Sequence, residues 1–328
     1  MNKPPILFVS LTMLVAIFFC SIFLFTQEES NQPKVLANDF QASYMPNSTG
    51  MQTGSLNNYG FPPSKNKENL PPKLKEGAKK LDLKDSTFLL MDKASGEILL
   101  RQNENKVNAI ASISKLATAL VFLDQNIDWE KTYQVKAGDL VGGGKENIAT
   151  GQKIKLKDLF FLSLVDSDNS ATVALARSTG LSDKDFMKKL REKFAELGMT
   201  NTNFGDFSGL SDANVSTAAD VAKLAKAAFA RKEIREATLT KKYEYQINGA
   251  KKGVKNTDLL LDIFPQNGIK IVGGKTGFTS IAGYCFVGQF TDSKGHEIIS
   301  VVLGEPDISS RFEKTKQLVH WTYANFSW

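Results

Sequence analysis

The hydrophobic pattern changes character several times along the chain. Residues Ile6 to Phe25 form an apolar run of about 20 residues, the length a helix needs to cross a bilayer core. From Thr26 to Leu81 the chain is rich in Asn, Pro, Ser, Gln and Lys with no sustained apolar period, the composition of a flexible tether. Ser86–Asp92 and Glu97–Arg101 then read as strands, with hairpin turn chemistry in Lys93-Ala94-Ser95-Gly96 between them. Helical spacing governs the centre, over Ser112–Gln125, Leu156–Leu164, Ala171–Arg177, Lys184–Leu197 and Thr217–Ala230. Strand character returns at Ile269–Val272, Gly283–Phe290 and Glu297–Leu303, and an amphipathic helix closes the pattern from Ser310 to Asn325. Strands at both ends with helices between them predict one α/β (α+β) domain: an antiparallel sheet flanked by helices, with a helical region inserted. The division this implies is 1–26 for an N-terminal anchor or signal, 27–81 for a linker and 82–328 for the folded body.

The flanks of the first apolar run set its orientation. Lys3 precedes it and Glu28 and Glu29 follow, which favours a cytoplasmic N-terminus with the body outside. The run is longer than the apolar region of a signal peptide, and Phe23-Leu24-Phe25 offers no small-residue cleavage site. An uncleaved single-pass anchor in the plasma membrane is therefore expected, a cleaved signal being the alternative. In either case the body is exported.

Composition adds modest limits. The chain is 42% hydrophobic and 23% charged, enough to bury a sizeable core. A net charge of +6 suits work near an anionic surface. No dense basic cluster with interleaved aromatics is present, so nucleic acid is not an expected partner. Cys20 and Cys285 have no Cys or His neighbour at metal-ligand spacing and no reason to pair. With only His296 and His320 available, serine chemistry is expected to use a base other than histidine.

Three short motifs carry that chemistry. In Ser112-Ile113-Ser114-Lys115, positions i and i+3 share a helix face, so hydroxyl and amine can meet. A serine hydroxyl needs a base to remove its proton. A lysine can serve only if burial or a nearby cation lowers its pKa towards neutrality. Ala109, Ile110, Ala111, Leu116 and Ala117 supply an apolar setting. A second Ser-x-x-Lys, Ser64 to Lys67, lies in the polar tether, where no fold could bury the lysine. Ser167-Asp168-Asn169 follows an apolar helix and precedes Ala171. It reads either as a plain helix N-cap or as a site turn, with Ser167 relaying a proton from Lys115 and Asn169 bonding a substrate amide. Lys275-Thr276-Gly277 follows two glycines on a strand. There a substrate backbone could approach closely, and Lys275 adds a cation that would help depress the pKa of Lys115.

In this order the motifs are those of β-lactamases and penicillin-binding proteins. From about Leu89 to Phe326 the chain resembles the D-alanyl-D-alanine carboxypeptidases of the low-molecular-mass penicillin-binding proteins, peptidase family S11. The resemblance rests on Met91–Ile98, Ala111–Ala119, Gly209-Leu210 with Ser216–Asp220, Asn256–Leu260, Gly273–Thr279 with Ala282–Cys285, and Arg311 ten residues before Trp321. It implies Ser112 as nucleophile, Lys115 as base and Ser167 as a further catalytic group. It implies a substrate site of Asn169, Lys275, Thr276, Gly277, Phe278, Thr279 and Arg311, the last holding a free carboxylate. The backbone N–H groups of Ser112 and Phe278 would form an oxyanion hole. The implied substrate is a peptidoglycan muropeptide, with β-lactams as inhibitors and no metal or organic cofactor. Departures from the family pattern include Ile110 in place of proline, Asp168 in place of a small residue, and a long stretch at Asp262–Ile271 expected to shape the rim near Lys275. A DD-endopeptidase, a β-lactamase and a non-catalytic wall-binding protein are the rival readings. A β-lactamase would need a Glu-x-x-Leu-Asn segment, and none occurs between Asn169 and Lys275.

Overall fold

The computed structural model describes residues 70–328 except positions 82 and 84. The apolar run at 6–25, the Ser64–Lys67 motif and nearly all of the tether lie outside the described residues. Among those described, no helix is long and apolar enough to cross a membrane.

Seven strands matter here: β1 (Thr87–Asp92), β2 (Ile98–Gln102), β3 (Lys242–Ile247), β4 (Ala250–Lys255), β5 (Lys270–Thr279), β6 (Gly283–Thr291) and β7 (Glu297–Glu305). The helices are α1 (Lys115–Leu123), α2 (Leu156–Val165), α3 (Asn169–Arg177), α4 (Asp183–Glu196), α5 (Ala218–Ala228), α6 (Lys232–Leu239) and α7 (Ile308–Asn325). The main sheet is antiparallel throughout, in the order β5-β6-β7-β1-β2. The segment from α1 to α6 is inserted between its N- and C-terminal strands, as the sequence pattern predicts.

Both faces of the sheet are covered. On one, Leu89, Val287 and Val301 join the core built with α1 to α5. On the other, Leu90, Phe286 and Val302 pack with Phe312, Leu318 and Val319 of α7. This explains why β1, Thr-Phe-Leu-Leu-Met-Asp, shows no polar alternation: every residue in it is buried. Amphipathic α4 buries Phe186, Leu190 and Phe194 at four-residue spacing, and Ser182 caps it by accepting from the Asp185 N–H. At the edge of the domain Lys73–Leu74 pairs with Phe326–Ser327, and Trp321 Nε1 donates to the Lys79 carbonyl (3.0 Å). The last residues of the expected linker are thus fastened to the end of α7.

Two features depart from the sequence reading. The β3–β4 hairpin and α6 carry no prediction. Yet Asn248 and Gly249, at φ of 52° and 74°, form a turn whose Asn-Gly dipeptide is a strong hairpin signal. The largely exposed, lysine-rich β4 concealed it. The stretch Asp262–Ile271 does not shape the site rim. Its apolar Phe264 and Ile269 sink under the sheet, with Phe264 edge-on to Phe290.

The inserted helices depend on an aromatic cluster in which fully buried Phe160 packs against Phe122 and Trp129. Phe160→Ala is expected to cost about 3–5 kcal/mol, read as a lowered midpoint in urea unfolding.

Candidate active site

The nucleophile candidate sits where a short 3-10 helix, Ala111–Ser114, runs into α1. Ala111 takes a left-handed φ of 48°. The turn this makes is packed closely by Gly209, where any Cβ would collide with the Ala111 carbonyl, and which itself has φ of 89°. Only glycine fits there.

Lys115 lies three residues beyond Ser112 and is fully buried. Its Nζ has three partners: Ser112 Oγ at 2.8 Å, Asn169 Oδ1 at 2.7 Å and the Ser208 carbonyl at 2.5 Å. The amide and carbonyl oxygens can only accept, so they take two N–H bonds. The hydroxyl can either accept or donate. A neutral amine with one lone pair therefore fits this cage, with Ser112 O–H donating to it. Burial brings the lysine pKa down to about 7, against the opposing pull of Asp168 and Asp206.

The Ser208 carbonyl is delivered by a loop that the sequence reading left without a role. Asp206 Oδ1 accepts from the backbone N–H groups of Ser208 and Gly209 (both 2.6 Å). Asn214 accepts from the Gly205 and Asp206 N–H groups and donates to Ser114 Oγ. The Asp206-Phe207-Ser208-Gly209 stretch carries Asx-turn chemistry, the one local signal that could have found it.

The cap reading of Ser167-Asp168-Asn169 falls on Asp168, while Ser167 and Asn169 face the cleft. Asp168 is the N-cap of α3, accepting from the Ala171 N–H at 2.8 Å. Ser167, with φ of 62°, turns its hydroxyl the other way, onto Lys275 Nζ at 2.9 Å. The contacts differ from those expected. Ser167 is held by Lys275, and it is Asn169 that meets Lys115. The Asn169 amide group donates to the Gly142 and Gly143 carbonyls (3.3 and 3.0 Å), so both its protons are engaged within the protein. Asn147, absent from the sequence reading, braces the turn by donating to Asp166 and Asp168.

Lys275, Thr276, Gly277, Phe278 and Thr279 form the end of edge strand β5. Lys275 is buried and donates also to the Thr276 carbonyl. Burial first, then repulsion from Lys115 and Arg311, carries its pKa well below that of a free lysine. The expected like-charge effect thus falls on Lys275, while burial accounts for Lys115. Thr276 Oγ1 shares a hydrogen bond with Thr257 Oγ1 (2.6 Å).

Arg311, on the first turn of α7, is only 4% exposed. Its Nη1 donates to the Gly277 and Cys285 carbonyls (3.1 and 3.3 Å). The guanidinium lies against the Tyr284 and Phe312 rings, and Nε has no partner. Among the described residues it forms no ion pair with a carboxylate, which leaves it suited to an incoming anion. Ser112, Ser167, Asn169, Thr276–Thr279 and Arg311 line one cleft of roughly 300 Å³, whose opposite wall is Gly143, Gly144 and Lys145. The lysine amines at 115 and 275 lie beneath its floor.

A buried lysine of lowered pKa bonded to a serine, with a second serine–lysine pair and a buried arginine at the same cleft, defines a serine acyl-transfer enzyme of the penicillin-binding fold. Residues 74–307 match the D-alanyl-D-alanine carboxypeptidase family of S11 peptidases, and the chain belongs to it. Similar curated proteins include a D-alanyl-D-alanine endopeptidase of Haemophilus influenzae, 32% identical over 61% of this chain and 68% of that one. The D-alanyl-D-alanine carboxypeptidase DacA of the same organism is 32% identical over 73% of this chain and 62% of that one. Among solved structures, the Streptomyces K15 DD-transpeptidase aligns with a TM-score of 0.69 at 25% identity, over 75% of this chain and 99% of that one.

If the Lys115 amine is the base, the rate of Ser112 acylation should rise about tenfold per pH unit below about pH 7 and level off above it. Stopped-flow measurement with a chromogenic cephalosporin reads this profile. Lys115→Ala should lower the plateau by about 10²–10⁴-fold.

Proposed function

We propose that this protein removes the terminal D-alanine from peptidoglycan stem peptides through an acyl-enzyme on Ser112. The observation that carries the reading is the Lys115 amine, buried, with a pKa near 7 and 2.8 Å from Ser112 Oγ. Lys115 takes the hydroxyl proton as Oγ bonds to the penultimate D-Ala carbonyl carbon. The backbone N–H groups of Ser112 and Phe278 stabilise the oxyanion, each such donor contributing about 3–4 kcal/mol in the transition state. As the C–N bond breaks, Ser167, held by Lys275, gives its proton to the departing amine and is reprotonated by the proton Lys115 took from Ser112, which leaves Lys115 neutral to take the proton of the water that follows. Water then hydrolyses the ester. Arg311 receives the terminal carboxylate, with Thr276 and Thr279 on the strand beside it. Asn169 holds Lys115 in place, since its own amide protons are taken by Gly142 and Gly143. A β-lactam enters the same path and stops at the ester. In this reading residues 6–25 anchor the protein and the stretch from residue 27 to the strand at Lys73–Leu74 lets the catalytic body work outside the membrane.

Cleavage of cross-links is the second reading. It uses the same residues and is favoured by the relatives named endopeptidase, which match at 30–32% identity.

Intact-mass measurement after incubation with benzylpenicillin should give a stable adduct on the wild type and none on Ser112→Ala. Rapid turnover of the drug would argue instead for a β-lactamase. Digestion of defined monomeric and cross-linked muropeptides should release D-alanine from the pentapeptide monomer; hydrolysis of dimers alone would sink the carboxypeptidase reading.

A further inference from the structure

Against Gly274 of β5 lies a carboxylate that the mechanism does not use. Asp258 is 3% exposed. Its Oδ1 caps a 3-10 helix, Leu259–Asp262, by accepting from the Leu260 N–H at 2.9 Å. Its Oδ2 is buried without a hydrogen-bond partner. That oxygen rests against Gly274, the residue before Lys275, so closely that any side chain at 274 would meet it. Arg311 reaches the same strand from α7 and also has an unpartnered buried atom, Nε. The carboxylate and the two cations thus lie around one short length of β5. A buried charge with an empty lone pair is costly unless another group compensates it.

We propose that Asp258 is a positioning residue, the internal counter-charge to Arg311 and Lys275, which competes with the substrate's terminal carboxylate for these two cations. The inference rests on the reading of Arg311 as the carboxylate site. When Asp258 is ionised it balances the cations and weakens their hold on an incoming anion. When it is neutral they act on the ligand alone. The charged groups around it are Arg311 from α7, Lys275 from β5 and Asp262 from its own 3-10 helix. Asp262 is held by Lys241 at 3.0 Å. Cys285 on β6 is a neutral thiol at these pH values, burial having pushed its pKa up to about 11. Burial raises the Asp258 pKa to about 7, opposed by the Leu260 N–H, Arg311 and Lys275. The sign follows: below about pH 7 Asp258 is neutral and carboxylate binding is favoured, and above it binding weakens.

The test compares benzylpenicillin with its methyl ester as acylating agents for Ser112. Both need the Lys115 base, so their ratio cancels that titration and isolates the carboxylate. In the wild type the acid-to-ester ratio of second-order acylation constants should fall about tenfold between pH 5.5 and 8.5. In Asp258→Asn, which keeps the size and the oxygen acceptor for Leu260, the ratio should stay flat at the acidic-limb value. A merely structural role would shift both agents alike. An Asp258→Asn ratio that still falls with pH overturns the proposal. Should that variant fail to fold, the wild type decides alone, since a pH-independent ratio there overturns it equally. Absence of any acylation of the wild type would overturn the acyl-enzyme reading along with it.

Discussion

The burial of one ammonium-bearing side chain is the constraint on which this site rests. Lys115 has to be dry to be a base, and it has to be fully bonded to be dry. The surrounding structure meets both needs. The short 3-10 helix before α1 brings in Ser112, the start of α3 brings in Asn169, and the loop at 205–214 brings in the Ser208 carbonyl. In the basic form of the amine the Asn169 and Ser208 oxygens accept its two N–H bonds and the Ser112 hydroxyl donates to its lone pair. Asp206 and Asn214 never touch the amine, yet they hold the loop whose Ser208 carbonyl does, and Asn147 braces the Asp166 and Asp168 carboxylates beside Asn169.

The second layer of the design is a division of labour between two lysines. One meets the nucleophile, and the other meets Ser167 across the cleft. The left-handed turn at Ser167 makes this possible. It sends the Ser167 hydroxyl towards the sheet, while Asn169 points back into the helical layer. Residues two apart in sequence therefore serve opposite walls. The sheet contributes its edge at β5, and Arg311 arrives from α7 to donate to the Gly277 carbonyl of that strand.

Much of this was legible in the sequence because the chemistry is written in short motifs. Ser112, Lys115, Ser167, Asn169 and Lys275 all fall in one cleft or directly under it. The strand-helix-strand order also emerged from periodicity alone, since the core strands and helices are long and apolar. What escaped was long-range or polar. That Ser167 pairs with Lys275 depends on a backbone torsion that spacing does not encode. Asp206 and Asn214 act mainly on backbone groups of their own loop, and the Asx-turn signal at Asp206 marks a turn without saying what it supports. The Asp262–Ile271 stretch seemed a surface insertion by length, but its Phe264 and Ile269 have an apolar layer to join. The β3–β4 hairpin was hidden for the opposite reason, with a lysine-rich strand that buries little.

The buried amine of Lys115 also has a consequence for folding. An unfolded chain would keep this lysine protonated up to its ordinary pKa of 10.5, whereas the folded chain releases the proton at about 7. Below pH 7 the folded state bears the whole of that difference, on the order of 5 kcal/mol. The penalty fades only as pH rises from about 7 towards 10.5. A sizeable part of the domain's stability is therefore surrendered to keep one side chain reactive, and the rest of the core must make it good.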